Sequence, residues 1–213
     1  SIPFIFSFHP KIRFYTKFRA FIPALIISAG VYIFWDVIFT NQSIWGFNDS
    51  YLVGWKVLNL PIEEWLFFIC IPYACVFTHY TLSCIYPNFR INDRTTKIMN
   101  SVFVLILIMA IILNVDKSYT FINALCTLVI LILACWKTPQ VLNRFYLTFS
   151  IILLPFFIVN GMLTGSMIPE EVVWYNNAEN LGVRLFTIPI EDVFYAFGLI
   201  LLNISLTEIF TKR

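Results

Sequence analysis

The sequence predicts an all-α membrane protein, a polytopic bundle of transmembrane helices. Of its 213 residues, 60% are hydrophobic and only 12% are charged, whereas about 25% of an ordinary soluble domain is charged. The mean hydropathy is +0.82. The apolar runs are long and lack polar alternation, which favours helices over a closed β-barrel. The net charge of only +2 and the lack of a basic tract argue against a nucleic-acid partner.

Six apolar runs are long enough to cross a bilayer, which takes roughly 20 helical residues. We denote them spans A to F, at residues 18–40, 61–80, 98–115, 119–136, 145–165 and 189–209. The apolar residues 2–8 are interpreted as the end of a truncated N-terminal helix rather than a signal peptide. The five cysteines are expected to pack as small hydrophobes, and the sequence has no metal-ligating or cofactor-binding motif.

Basic residues divide the loops into two alternating sets. The segment before span A, the B–C and D–E loops and the C-terminus hold 11 of the 14 Lys and Arg residues. The positive-inside rule places these segments in the cytoplasm and predicts a multi-pass protein of the inner (plasma) membrane. The two long loops, 41–60 and 166–188, then lie on the outer side, and their length suggests a function.

The two long loops and the spans after them resemble each other. A shift of 128 residues aligns FND at 47–49 with YNN at 175–177, and PIEE at 61–64 with PIED at 189–192. A shift of 124 places Asp36 opposite Asn160. Spans A–B therefore repeat as E–F, and copies that start four spans apart share one orientation. We predict a parallel internal repeat, with residues 1–97 and 117–213 as the copies and 98–116 as a linker span.

The strongest candidate site residues are the paired acids Glu63 and Glu64 and their counterparts Glu191 and Asp192. Acids just behind a proline also suit a helix N-terminus, so a capping role is the alternative interpretation. The same acids recur in both copies next to the bilayer. This favours a functional site, because placing a charge in lipid is costly. Neighbouring helical residues point about 100° apart, so we expect one acid of each pair to face the bundle, without specifying which.

Asp36 is a further candidate, because it lies late in span A at the depth of the first acid pair. Two nearby carboxyl groups in a low dielectric do not both ionise cheaply, so one keeps its proton, as a general acid requires. The alternative is a buried Asp held by loop backbone. Aromatic residues around the acids form either an interfacial belt or a lining that stabilises a cation. The residues predicted to contact a substrate are Trp35, Trp65, Phe67, Phe68, Asn160, Phe194 and Tyr195.

Several segments resemble the membrane lycopene cyclases, a family found as two small subunits in some bacteria and as fused chains elsewhere. The first half carries FWD at 34–36, WGFN at 45–48, LPIEEWLFF at 60–68 and PYACVF at 72–77. The second half carries VNG at 159–161, PIED at 189–192 and LNISL at 202–206. The resemblance implies a cofactor-free, non-redox closure of the linear end groups of lycopene into β-ionone rings, with Glu63, Glu64, Glu191 and Asp192 as the motif acids.

The resemblance also implies a carotenoid substrate taken from the bilayer, surrounding membrane lipids, and either a homo-oligomer or an assembly with other carotenoid enzymes. Such a hydrocarbon needs a proton donor, a proton acceptor, aromatic walls and the exclusion of water. Two alternatives stay open. A proton-coupled transporter also combines repeats with membrane carboxylates, but its helices should be broken at mid-membrane. A non-catalytic scaffold for carotenoid enzymes would tolerate the loss of the motif acids.

Overall fold

The computed structural model describes residues 1–212, and α-helices dominate this part of the chain. The helices are α1 (Ile2–Phe6), α2 (Phe18–Asn41), α3 (Ile62–Ile85), α4 (Asp93–Leu113), α5 (Ser118–Lys137), α6 (Pro139–Leu163) and α7 (Glu191–Thr211). Six of them, α2 to α7, are long and apolar enough to cross a membrane. The predicted all-α bundle with six spans is therefore confirmed, and α1 is a short helix within residues 2–8.

Polar first turns extend two helices beyond their predicted spans. The Asn92 side chain accepts a hydrogen bond from the Thr95 N–H at 2.8 Å and caps α4, which therefore starts five residues before predicted span C. Pro139 opens α6, because its fixed φ suits a first turn and its missing N–H is not needed there. Pro72 and Pro155 lie inside α3 and α6 without ending either helix.

Short antiparallel ribbons organise the two long loops. The strands are β1 (Trp45–Phe47), β2 (Lys56–Val57), β3 (Leu60–Pro61), β4 (Val173–Tyr175), β5 (Arg184–Leu185) and β6 (Ile188–Pro189). Hairpin β2–β3 leads into α3 and hairpin β5–β6 leads into α7. Strand β1 pairs with β4, with Gly46 opposite Trp174, so the two long loops meet at one end of the bundle.

Helix α7 is the centre of the bundle. Eleven of its 21 residues are buried, and it packs between α2 and α5. Helix α5 turns a polar stripe towards it, with Thr120, Asn123 and Thr127 each donating a hydrogen bond to a group on α7. Helix α4 is peripheral, because only Thr96 and Leu107 of it are buried.

Gly198 allows α7 to lie close to both α2 and α5. A Cβ atom at this position would stand 2.6 Å from the Tyr32 hydroxyl and 3.0 Å from the Thr127 hydroxyl. Both distances are shorter than ordinary van der Waals contact, so a larger residue would force the helices apart. At Gly30, in α2, a Cβ would meet nothing within 4 Å.

We expect Gly198→Ala to lower the free energy of unfolding by about 1–3 kcal/mol, the usual cost of overpacking a core. Thermal unfolding in detergent measures this as a lower Tm. Gly30→Ala is the matched control and should leave Tm unchanged or raise it, because alanine is the better helix former. Adding Tyr32→Phe to Gly198→Ala removes the nearest clashing atom and should recover part of the loss. Equal Tm values for the two alanine variants would contradict this packing.

Candidate active site

Three acidic side chains from three helices line one cavity. Asp36 lies in the last turns of α2, Glu64 in the first turn of α3 and Asp192 in the first turn of α7. The cavity has a volume of about 220 Å³ and lies among α2, α3, α6 and α7. Residues of β1 and β4 complete its wall at the loop end of the bundle. The rest of the lining is largely apolar and aromatic.

The two acids of each pair have different environments. Glu63 accepts a hydrogen bond from the backbone N–H of Val53 at 2.8 Å, and Glu191 accepts one from Leu181 at 2.7 Å. Glu191 also accepts a hydrogen bond from the Thr120 hydroxyl at 2.6 Å. Both acids therefore hold the loop that precedes their own helix, and neither lines the cavity. The second acid of each pair faces the cavity, which resolves the orientation that the sequence left open.

Asp192 is surrounded by hydrogen-bond donors. The Tyr119 hydroxyl donates to Oδ1 at 2.5 Å, while the Tyr175 hydroxyl and the Asn160 amide donate to Oδ2, each at 2.9 Å. Burial and the neighbouring Asp192 carboxyl raise the pKa of Tyr175 well above its usual value. Its phenol therefore stays protonated and remains a donor. Three donors of this kind stabilise a carboxylate at position 192.

Asp36 and Glu64 have fewer partners. Asp36 Oδ1 accepts a hydrogen bond from the Trp45 indole N–H at 2.7 Å, while its buried Oδ2 has no partner among the described residues. Glu64 lines the cavity without a side-chain hydrogen bond to any of residues 1–212. It lies close enough to Asp36 and Asp192 for their charges to interact with it. The cavity thus combines one carboxyl group that accepts three hydrogen bonds, Asp192, with two that accept one or none, Asp36 and Glu64.

Aromatic rings form the cavity wall next to the acids. Phe67 and Tyr195, both predicted to contact a substrate, line the cavity, as does the predicted Asn160. The Tyr195 ring stacks on Trp35 with 5.5 Å between centroids, so Trp35 lies one layer behind the wall. Ring faces attract cations, so a wall of this kind can stabilise positive charge in the cavity.

The structure places three predicted substrate contacts away from the cavity. Trp65 donates its indole N–H to the Val57 carbonyl at 3.2 Å, beside the first hairpin. Phe68 is fully buried in the helical core. Phe194 packs against Phe103 of α4 with 5.8 Å between ring centroids. These side chains follow the acids in sequence, but the helical rotation of about 100° per residue directs them elsewhere.

Tyr119 is a cavity residue that the sequence analysis did not single out. Its signal is weak, because a tyrosine at the start of a span is normally an interfacial anchor. The polar stripe that begins beside it, at Thr120 and Asn123, is the feature that would have directed attention to this face of α5. Within residues 1–212, no group of three or more His, Cys, Asp or Glu side chains is arranged to hold a metal ion.

The fold and the cavity define a membrane protein with a carboxyl-lined apolar site between its helices. A family model described as lycopene cyclase matches residues 1–82 and 116–210, which include Asp36, Glu64 and Asp192. The chain therefore belongs to the lycopene cyclase family, as the sequence motifs predicted, and this membership implies an enzyme of lycopene cyclisation in carotenoid biosynthesis. No curated protein and no solved structure matches the chain.

We expect Glu191→Ala to lower the free energy of unfolding by about 1.5–3 kcal/mol, because it leaves the partly buried Leu181 N–H and the buried Thr120 hydroxyl without their shared acceptor. Glu63→Ala should cost less, since Glu63 is only half-buried and accepts one such bond. Denaturation in detergent measures both, with the exposed loop acid Glu171, as Glu171→Ala, for comparison. If Glu191→Ala unfolds like Glu171→Ala, Glu191 does not hold the loop.

Proposed function

We propose that the protein is a lycopene β-cyclase that closes the linear end groups of lycopene into β-ionone rings by acid catalysis. The reaction is an isomerisation, with no net redox change, and the enzyme is an intramolecular lyase. The observation that carries the proposal is the meeting of Asp36, Glu64 and Asp192 in one largely apolar cavity. A hydrocarbon needs apolar walls, and a proton transfer to and from carbon needs an acid and a base.

Glu64 is the proton donor in this proposal. It protonates the terminal carbon–carbon double bond, whose electron pair forms the new C–H bond and leaves a tertiary cation. The internal double bond attacks this cation, which closes the ring and moves the positive charge onto a ring carbon. Asp192 then removes a ring proton, and the electrons of that C–H bond form the ring double bond. The proton on Asp192 returns to Glu64, so neither atoms nor electrons are gained or lost.

Hydrogen bonding supports this division of roles. A carboxyl group without donors in an apolar wall is suited to hold a proton, and Glu64 has no side-chain partner within residues 1–212. A carboxyl group with three donors is suited to be an anion, and Asp192 has three. Asp36 and the faces of Tyr195 and Phe67 lie where they can stabilise the cation between the two steps.

We also propose that residues 1–97 and 117–213 are repeats joined by the linker 98–116, and that the site is a composite of both copies. Three pairs of contacts support this. Lys56 faces Pro61 in one hairpin, as Arg184 faces Pro189 in the other. Each first acid accepts a hydrogen bond from the residue ten positions before it. The hydroxyls of Thr40 and Thr164 donate to the carbonyls of Asp36 and Asn160.

The proposed setting is the inner (plasma) membrane, with the basic loops and the C-terminus in the cytoplasm. The pairing of β1 with β4 supports a common side for the two long loops.

The course of α3 and α6 favours the enzyme over the transporter. Both helices continue through their prolines, and the cavity acids lie near helix ends rather than at breaks in mid-span.

In a lycopene-accumulating host, we expect the wild-type protein to convert red lycopene to yellow cyclic carotenes, as measured by chromatography of the extracted pigment. Glu64→Gln and Asp192→Asn should lower the conversion about a hundredfold or more, because each removes a proton-transfer group. Glu63→Gln is the matched control, since it lies next to Glu64 but outside the cavity, and its amide oxygen can still accept the Val53 N–H. Persisting lycopene with folded wild-type protein, or equal activity of Glu64→Gln and Glu63→Gln, would refute the proposal.

We expect Tyr175→Phe to lower the cyclisation rate about tenfold, because a hydrogen bond to a charged group contributes roughly 1.5–3 kcal/mol and Asp192 loses one. Tyr51→Phe, in the exposed part of the first long loop, is the control. The pKa of Tyr175 is raised well above its usual value. Its phenol should therefore keep donating from pH 8 to 10, and the wild-type rate should show no loss from its ionisation there. Equal rates for the two phenylalanine variants would exclude a role for Tyr175.

A further inference from the structure

The cavity has an open side between α3 and α6. Ile71 on α3 and Pro155 and Val159 on α6 line the cavity and are also exposed on the surface of the protein. Their neighbours Leu154 and Ile158 are exposed as well and continue this apolar surface along α6. The opening lies within two membrane-length helices, so its surroundings are the hydrocarbon chains of the bilayer.

Hydrogen bonds join α3 and α6 at the end of the bundle away from the acids. His79 on α3 and Thr148 on α6 share a hydrogen bond of 3.0 Å, and the Arg144 guanidinium donates to the Ser83 carbonyl at 3.3 Å. Along α3, His79 lies 15 residues after Glu64, which is about 22 Å of helix. The two helices are thus tied at one end, and the cavity lies between them towards the other end.

The seam between α2 and α7, on another side of the cavity, is tightly packed. The rings of Tyr32 and Tyr195 are 4.9 Å apart, edge to face, and Trp35 stacks on Tyr195 from behind. Gly198 brings the Tyr32 hydroxyl against the backbone of α7. At the loop end, Trp45 and Tyr175 of the β1–β4 ribbon cover the acids. Of these three sides, the α3–α6 side is the one where residues that line the cavity are exposed at the surface.

From this geometry we infer that the α3–α6 opening is a lateral portal, through which one end of a linear hydrocarbon enters from the bilayer and reaches Glu64 and Asp192. The inference rests on the proposed function. Ile71, Pro155 and Val159 carry no polar side-chain group, so the portal suits an alkyl or polyene chain and not a solute from water. We call these three residues the portal residues.

The length of the cavity further implies that only one end of the substrate enters at a time. On α3 its lining runs from Glu64 to Cys75, and on α6 from Ile152 to Leu163. Each stretch has twelve residues and rises about 17 Å along the helix, roughly half of a 30 Å hydrocarbon core. A substrate of bilayer length therefore keeps its other end in the lipid. Because acids from both halves of the chain share this cavity, the second end reacts only after the first has left.

Bulky substitutions at the portal test the route. In proteoliposomes that contain lycopene, Val159→Trp on α6 and Ile71→Trp on α3 should each lower the initial rate about tenfold, because access then limits turnover. Val129→Trp is the control, on the exposed face of α5 and outside the cavity, and its rate should stay within about twofold of wild type. Val159→Ala and Ile71→Ala widen the opening instead of filling it, so each should be faster than the tryptophan variant at the same position. Portal variants that match the Val129→Trp rate would overturn the portal.

A labelling experiment on the wild-type protein tests the one-end-per-visit consequence without a variant that could misfold. Carbon-13 lycopene is supplied first, and an excess of unlabelled carotene with one ring and one linear end follows. We expect free labelled monocyclic carotene to accumulate before any bicyclic product, and the unlabelled compound to dilute the label in the bicyclic product. Labelled bicyclic product that forms without a lag and resists dilution would overturn the inference.

A failure of the proposed function and a failure of the portal alone give different results. If the folded wild-type protein converts no lycopene, the proposed function fails and the portal fails with it. If the wild-type protein cyclises lycopene while portal variants match the Val129→Trp control, only the portal fails. If portal variants are slow and Glu64→Gln is inactive, the opening supplies the substrate and the acids carry out the reaction.

Discussion

The hydrogen bond between the first acid of each pair and its own loop is the interaction on which the site depends. Glu63 holds the Val53 N–H and Glu191 holds the Leu181 N–H, each ten residues earlier. These bonds hold the loop residues that precede each hairpin against the starts of α3 and α7. We infer that they contribute to the rotation of both helices. Because the next residue is turned by about 100°, Glu64 and Asp192 then face the cavity.

The proposed acid and base roles depend on how many hydrogen-bond donors surround each carboxyl group of the cavity. A carboxylate is stable in an apolar site only when donors surround it, and the protein supplies three of them to Asp192. It supplies none to Glu64 within the described residues. The same residue chemistry can therefore serve as an acid on one wall and as a base on the other. The difference lies in Tyr119, Tyr175 and Asn160, and not in the acids themselves.

Much of the fold and part of the site could be predicted from the sequence. Hydropathy located all six membrane-length helices, because lipid requires long apolar runs. Five acids stood out for their cost in lipid, and three of them, Asp36, Glu64 and Asp192, line the cavity. The rotation of each helix was not predictable, because it depends on a hydrogen bond across a loop. For the same reason, the sequence did not reveal that Trp65, Phe68 and Phe194 lie away from the cavity. The strands of the long loops are only two or three residues long, too short for a periodic signal.

Under the proposed repeat, one difference between corresponding cavity positions bears directly on how two similar halves make one site. Asp36 and Asn160 occupy matching positions near the ends of α2 and α6, and a threonine four residues later donates to the backbone carbonyl of each. An aspartate at 160 would lack the amide donor and would bring a fourth carboxyl group against Asp192, where like charges repel. The asparagine instead donates to Asp192 at 2.9 Å and stabilises its charge. Under the proposed repeat, the two halves bring the groups together, and the Asn160 amide acts with Tyr119 and Tyr175 to make their roles unequal.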